Sequence, residues 1–308
     1  MSDSFTPNVS SRITPRLHPK TNEVIPRVDE WFLHHWPFLS EAVYEEFKSS
    51  GPTLFTCYCM PDALDERLEL ACKILNTVFI VDDALENMSI EEAQGSCKKF
   101  VGLILGHEDV HPSTQVEKVF RDLHAEILKI GELGQNYCED VVQWLKFAAR
   151  DDRPKWKSSS DFSKYCEYRI HDVGYELTIS MLRYAMDIQH PQRNDEVVRE
   201  CEHLVGYHCM LVNDLFSYRK ELASRSTGEI GKAFMNSVLV VQNSGGIGAQ
   251  EAMVWLERYC EKLEEQFEGV ASRTAHLGED AKRYINALRL LFAGNLKWSS
   301  VCGRYNKL

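Results

Sequence analysis

Apolar side chains recur along this chain with the 3.6-residue period of an α-helix, and that repetition constrains the fold more than any other feature. The clearest segments are 63–87, 90–106, 114–147, 161–188, 195–223, 248–267 and 280–298. Between 28 and 48, Trp31, Leu33, Trp36, Phe38, Val43, Tyr44 and Phe47 add a further helical pattern, interrupted near Pro37. No run alternates apolar and polar residues as a half-buried strand does. Val238-Leu239-Val240-Val241 is β-branched and reads either way, but it stands in helical surroundings. Gly51-Pro52, Pro61, His111-Pro112, Pro154, His190-Pro191 and Gly245-Gly246 separate the elements. An all-α fold is the expectation.

No repeat or linker divides the sequence, so residues 29–308 are expected to form one domain. Residues 1–28 are rich in Pro, Ser and Thr and are expected to be irregular. Their basic residues, Arg12, Arg16, Lys20 and Arg27, suit either a cover over a charged site or a loose tail. A chain of 308 residues with 44% hydrophobic content can bury a large core. Its net charge of −11, with no basic stripe, argues against a nucleic-acid partner. The N-terminus lacks a basic-then-apolar signal pattern. No stretch reaches the roughly 18 apolar residues of a membrane span. The ten cysteines form no CxxC pair; the closest are Cys57 and Cys59. Free buried thiols in a reducing cytoplasm are expected.

Chemistry concentrates in two acidic motifs. The first, Asp82-Asp83-Ala84-Leu85-Glu86, follows the apolar run 74–81. Asp82 and Glu86 are i and i+4 and share a helix face, while Asp83 points partly aside. Acids at a helix C-terminus oppose the macrodipole and ask for a compensating cation. Ser89 and Glu92 read as the capping box of the next helix, so the motif ends near Asn87. The second motif runs from Asn213-Asp214 through Ser217 to Lys220-Glu221. Asn213, Ser217 and Glu221 at i, i+4 and i+8 stack on one face. An amide oxygen, a hydroxyl and a carboxylate are hard ligands that suit magnesium. Taken singly, each motif also describes a solvated helix face.

Together the motifs resemble those of the class I terpene synthases of fungi and bacteria. The aspartate-rich motif of that family matches Asp82, Asp83 and Glu86, and its N-D-x-x-S-x-x-x-E triad matches Asn213, Ser217 and Glu221. Lys220 stands just before the last ligand, and an Arg304-Tyr305 pair follows Trp298. Arg169 stands about where the family has its diphosphate-sensing arginine. The resemblance makes Asp172 the linker and Val173 or Gly174 the helix-break effector. It runs from about residue 50 onward. Glu86 replaces a more common Asp, and the sensor spacing is slightly short.

The resemblance implies a single-domain class I terpenoid synthase, a helical bundle around a central active-site cavity. It implies three magnesium ions held by Asp82, Asp83, Glu86, Asn213, Ser217 and Glu221, and a diphosphate bound by Arg169, Lys220, Arg304 and Tyr305. The expected reaction is ionisation of an isoprenoid diphosphate and cyclisation of the cation. Farnesyl diphosphate is favoured, with C10 and C20 substrates open. Aromatic faces would stabilise the cation. Phe79, one turn before Asp82, and Trp298 are placed there, with Phe55, Tyr58 and Phe147 as further candidates. A homodimer is compatible with the family. The alternatives are a chain-elongating prenyltransferase, a di-metal carboxylate bundle built on Glu200-x-x-His203, and a non-catalytic helical scaffold.

Overall fold

The computed structural model describes residues 7–150, 160–226 and 235–306. Every regular element among them is an α-helix: α1 Thr21–His35, α2 Glu41–Ser50, α3 Pro52–Cys59, α4 Asp65–Glu86, α5 Ile90–Leu105, α6 Gln115–Leu128, α7 Glu132–Ala148, α8 Phe162–Asp172, α9 Tyr175–Ala185, α10 Glu196–Ser226, α11 Ser237–Gly245, α12 Ala249–Ala271, α13 Glu279–Val301 and α14 Gly303–Asn306. The ambiguous stretch 238–241 is thus helical, in α11. Ser89 and Glu92 form the expected capping box, which starts α5 directly after α4 stops at Asn87.

Two long periodic segments divide where glycine permits a backbone that other residues resist. The segment 114–147 splits into α6 and α7 at Gly131, φ 84°. The segment 161–188 splits into α8 and α9 at Gly174, φ 69°. Periodicity continues across both breaks because the same face stays buried on each side.

The irregular region expected through residue 28 ends sooner, since α1 begins at Thr21. Pro26 inside it removes a backbone donor and costs roughly 3 kcal/mol. Val24, Val28 and Phe32, spaced by four, are fully buried. At about 1.5–3 kcal/mol each, their burial outweighs the proline. Residues 8–12 run along α12, and none of residues 7–20 lines the cavity described below. Asn8 N and Arg12 N donate to Glu257 Oε1 and Glu264 Oε1, each at 2.6 Å. The Arg12 side chain pairs with Glu265, and Arg16 grips Asp62 at 2.8 and 2.9 Å. Lys20 and Arg27 pair with Glu23 and Glu69. Pro52, read as a breaker, is instead the first residue of α3, where its missing N–H is harmless.

The core lies between α4, α9, α10 and α13, whose buried residues extend around most of each helix. α10 packs on α12 and α13, α13 on α3, α3 on α4, and α7 on α9. A cavity of about 380 Å³ is left among them.

Candidate active site

All fifteen residues singled out from the sequence line this one cavity: Phe79, Asp82, Asp83, Glu86, Arg169, Asp172, Val173, Gly174, Asn213, Ser217, Lys220, Glu221, Trp298, Arg304 and Tyr305. The end of α4 presents Asp82, Asp83 and Glu86, with no basic residue in its last turn to balance them. The compensating cation comes from α14. Arg304 donates through both terminal nitrogens to both oxygens of Asp83, at 2.8 and 2.7 Å. Burial alone would weaken the Arg304 charge. The Asp83 carboxylate overrides it and raises the guanidinium above its ordinary pKa. Arg304 also lies over the Phe79 ring, 5.6 Å from its centroid.

The face of α10 opposite supplies the second set. Asn213 Oδ1 accepts from Arg169 at 3.1 Å, and Asn213 Nδ2 donates to the Tyr305 hydroxyl at 2.8 Å. Arg169 also donates to Asp172 at 2.5 Å and to Asp214 at 3.2 Å. Asp214 faces away from the cavity and is wholly buried. Tyr165 Oη at 2.6 Å and the Ser237 backbone N–H at 2.9 Å complete its shell. Asp214 thereby holds α8, α10 and the start of α11 together at the cavity wall. The sequence reading passed over it as a spacer within the motif. Burial would drain charge from Arg169, but Asp214 and then Asp172 hold its pKa well above the usual value.

Burial pushes the Glu221 carboxyl up to about 7, and the negative charge of Asp214 adds to the shift. Hydrogen bonds from Ser217 and Asn236 and the charge of Arg169 act in the other direction. Such a carboxylate gains strongly from a nearby cation.

Aromatic rings form the apolar wall. Phe55, Phe79 and Trp298 meet with centroids 5.0–5.9 Å apart. Trp298 is fixed by donation from Nε1 to the Gly51 carbonyl at 2.7 Å. Tyr58 and Phe147 do not line the cavity. Phe147 packs instead on Tyr168 and His171 of α8. Trp144, one turn earlier, takes the place expected of it. Arg150, Tyr175, Leu177 and Asn295 also line the cavity and were not foreseen. No short motif marks them, because they reach it only through helix packing.

The donor chemistry fits a hard divalent cation. Asp82 and Glu86 on one wall and Asn213, Ser217 and Glu221 on another offer oxygen only. Among the described residues no three His, Cys, Asp or Glu side chains gather as a metal cluster. The di-metal carboxylate alternative is not favoured. Glu200 pairs with Arg273, and His203 stacks on Tyr207. The polar, Gly-containing stretch 224–231 directly after Glu221 suits either a closing loop or an ordinary connection, and from residue 227 on it lies outside the described residues.

The chain is similar to known proteins along most of its length. A family model described as "Terpene synthase family 2, C-terminal metal binding" matches residues 73–266. An aristolochene synthase from Aspergillus terreus is 31% identical over 96% of this chain and 93% of its own. A (+)-aristolochene synthase from Penicillium expansum is 29% identical over 98% of this chain and 92% of its own. The crystal structure of aristolochene synthase from Penicillium roqueforti superposes with a TM-score of 0.81 at 25% identity, covering 96% of this chain and all of that one.

Proposed function

The chain belongs to the terpene synthase family, and on that premise we propose that it ionises farnesyl diphosphate with magnesium and closes the cation into a cyclic sesquiterpene. One observation carries the reading: two sets of oxygen ligands and the cations Arg169, Lys220 and Arg304 converge on a cavity whose other wall is aromatic. The choice of a C15 substrate rests on the likeness to the aristolochene synthases. A chain-elongating prenyltransferase would need a second aspartate-rich motif, and α10 carries Asn213 and Ser217 in its place.

Asp82 and Glu86 are assigned to hold magnesium from one side, and Asn213, Ser217 and Glu221 from the other. The bound ions, three in this reading, supply Lewis-acid stabilisation of the departing diphosphate. Asp83 is assigned to Arg304, which takes both its oxygens. Arg169, Lys220, Arg304 and the Tyr305 hydroxyl donate to the diphosphate. Negative charge grows on those oxygens as the C–O bond breaks, so these donors bind the transition state more strongly than the ground state. Asp172 couples Arg169 to the helix break at Val173 and Gly174, through which movement of the arginine reaches the cavity wall. Phe55, Phe79 and Trp298 present ring faces to the cation and exclude water.

The substrate is a small diphosphate, and among the described residues no helix is long and apolar enough to cross a membrane. The free cysteines suit a reducing cytoplasm. We also propose a homodimer, as the family allows; light scattering reads that state. The reaction is tested by incubating the protein with magnesium and, separately, geranyl, farnesyl and geranylgeranyl diphosphate, followed by gas chromatography–mass spectrometry. A cyclic C15 product, lost with EDTA, is expected. Longer diphosphates formed only when isopentenyl diphosphate is added would overturn the reading.

A further inference from the structure

One side chain outside both motifs bonds directly to a proposed metal ligand. Asn236 lies immediately before α11 and is 1% exposed. Both of its amide N–H donors are used. Nδ2 donates to the Asp214 carbonyl at 2.8 Å and to Glu221 Oε2 at 3.1 Å. Oδ1 accepts from Val238 N at 3.0 Å. The three bonds do different work. The bond to Val238 N caps α11. The bond to the Asp214 carbonyl fastens that cap to α10. The bond to Glu221 serves neither purpose.

Glutamate reaches its carboxylate across three rotatable torsions. Freezing such a side chain costs about 0.5–1.5 kcal/mol at the moment of binding unless it is already ordered. A donor clamped to one carboxylate oxygen orders it beforehand. The donor must also be neutral and rigidly mounted, since a cation would compete with the metal for the same charge. A buried amide that caps a helix meets both conditions.

We propose that Asn236 is a positioning residue for the magnesium site. It holds Glu221 in the orientation in which Glu221, Ser217 and Asn213 present oxygens together on one face of α10. This rests on the assignment of those three residues as ligands. Outer partners of this kind support about 10- to 100-fold of metal affinity.

Asn236→Ser and Asn236→Asp separate positioning from capping. Both keep an oxygen acceptor for Val238 N. Both lose the Nδ2 donor to Glu221, and Asn236→Asp sets a like charge beside it. Magnesium is titrated by calorimetry into protein saturated with inorganic diphosphate, and melting is followed without metal. Asn236→Ser is expected to weaken magnesium binding by about ten-fold or more, and Asn236→Asp further. Asn236→Ser also loses the bond to the Asp214 carbonyl and should melt a few degrees lower without metal, and Asn236→Asp, a buried carboxylate beside Glu221, lower still. Should Asn236→Asp not fold, Asn236→Ser decides. Wild-type magnesium affinity in Asn236→Ser would overturn the proposal. Glu221→Gln tests the assignment beneath it. If Glu221→Gln binds as wild type, the ligand assignment itself fails. If Glu221→Gln loses magnesium while Asn236→Ser keeps it, only the role of Asn236 fails.

Discussion

Arg304 and Asp83, 221 positions apart in sequence, are joined by two parallel hydrogen bonds of 2.8 and 2.7 Å. Tyr305, the next residue, meets Asn213 on α10. The short helix α14 therefore spans the gap between the two acidic motifs and touches each with one side chain.

Replacing Arg304 should damage turnover more than folding. Arg304→Ala is expected to lower kcat/KM by about 10²–10³-fold, the scale of losing a preorganised donor to a developing anion. Asp83 is 41% exposed, so the ion pair's loss should cost stability only about 1 kcal/mol or less. Arg304→Lys keeps charge without the fork and should fall between. Steady-state kinetics beside a thermal melt decide the case; a melt that collapses with activity retained would contradict it.

Asn213→Leu and Asp82→Ala should each abolish product formation while far-UV circular dichroism stays helical. Each removes an oxygen from a different wall of the cavity. Wild-type turnover in either variant would remove that residue from the metal site.

Gly174→Ala should strain the junction between α8 and α9. An alanine at φ 69° costs about 1–2 kcal/mol, and its Cβ would lie 3.4 Å from Trp144 Nε1. A fall in Tm of several degrees is expected by calorimetry. An unchanged Tm would show that the junction relaxes without penalty.

Two buried histidines should limit stability in acid. Burial pushes His124 down to about 4 and His208 down to about 3. Nδ1 of His124 bonds the Phe120 carbonyl, while neither ring nitrogen of His208 has a partner. Unfolded, each titrates near 6.5. As pH falls the unfolded chain binds these protons first, so it gains relative to the native state. Stability is full above 6.5 and declines below it, towards 4 for His124 and towards 3 for His208. The slope is about 1.4 kcal/mol per pH unit for each. His208→Phe, beside the Phe292 ring, should flatten the fall of the urea midpoint between pH 6 and 4. An unchanged slope would remove His208 from the account.

The helices that carry the site were legible because their signals are local. Ser89 and Glu92 marked the end of α4, and the spacing of Asn213, Ser217 and Glu221 placed all three on one face of α10. The strain of Asp82, Asp83 and Glu86 at a helix C-terminus asked for a cation. Nothing in that stretch says that Arg304 answers it. Trp144, Asn236 and Asn295 left no sequence signal, since their roles arise from helices packed far apart in sequence. Phe147 was named as a candidate and Trp144 was not, because composition marks aromatics and not which of them reach the cavity. The start of α1 was hidden by Pro26, whose local cost is outweighed only by burial against distant helices.

α14 also sets whether the site comes into being. Its two contacts each join residues far apart in sequence, so neither arises from local structure alone. A chain in which α4 and α10 are complete but α14 is undocked holds both acidic motifs and lacks the arginine and the tyrosine that link them. Competence then depends on a four-residue helix, the part whose fraying should silence the protein while the rest of its helices stand.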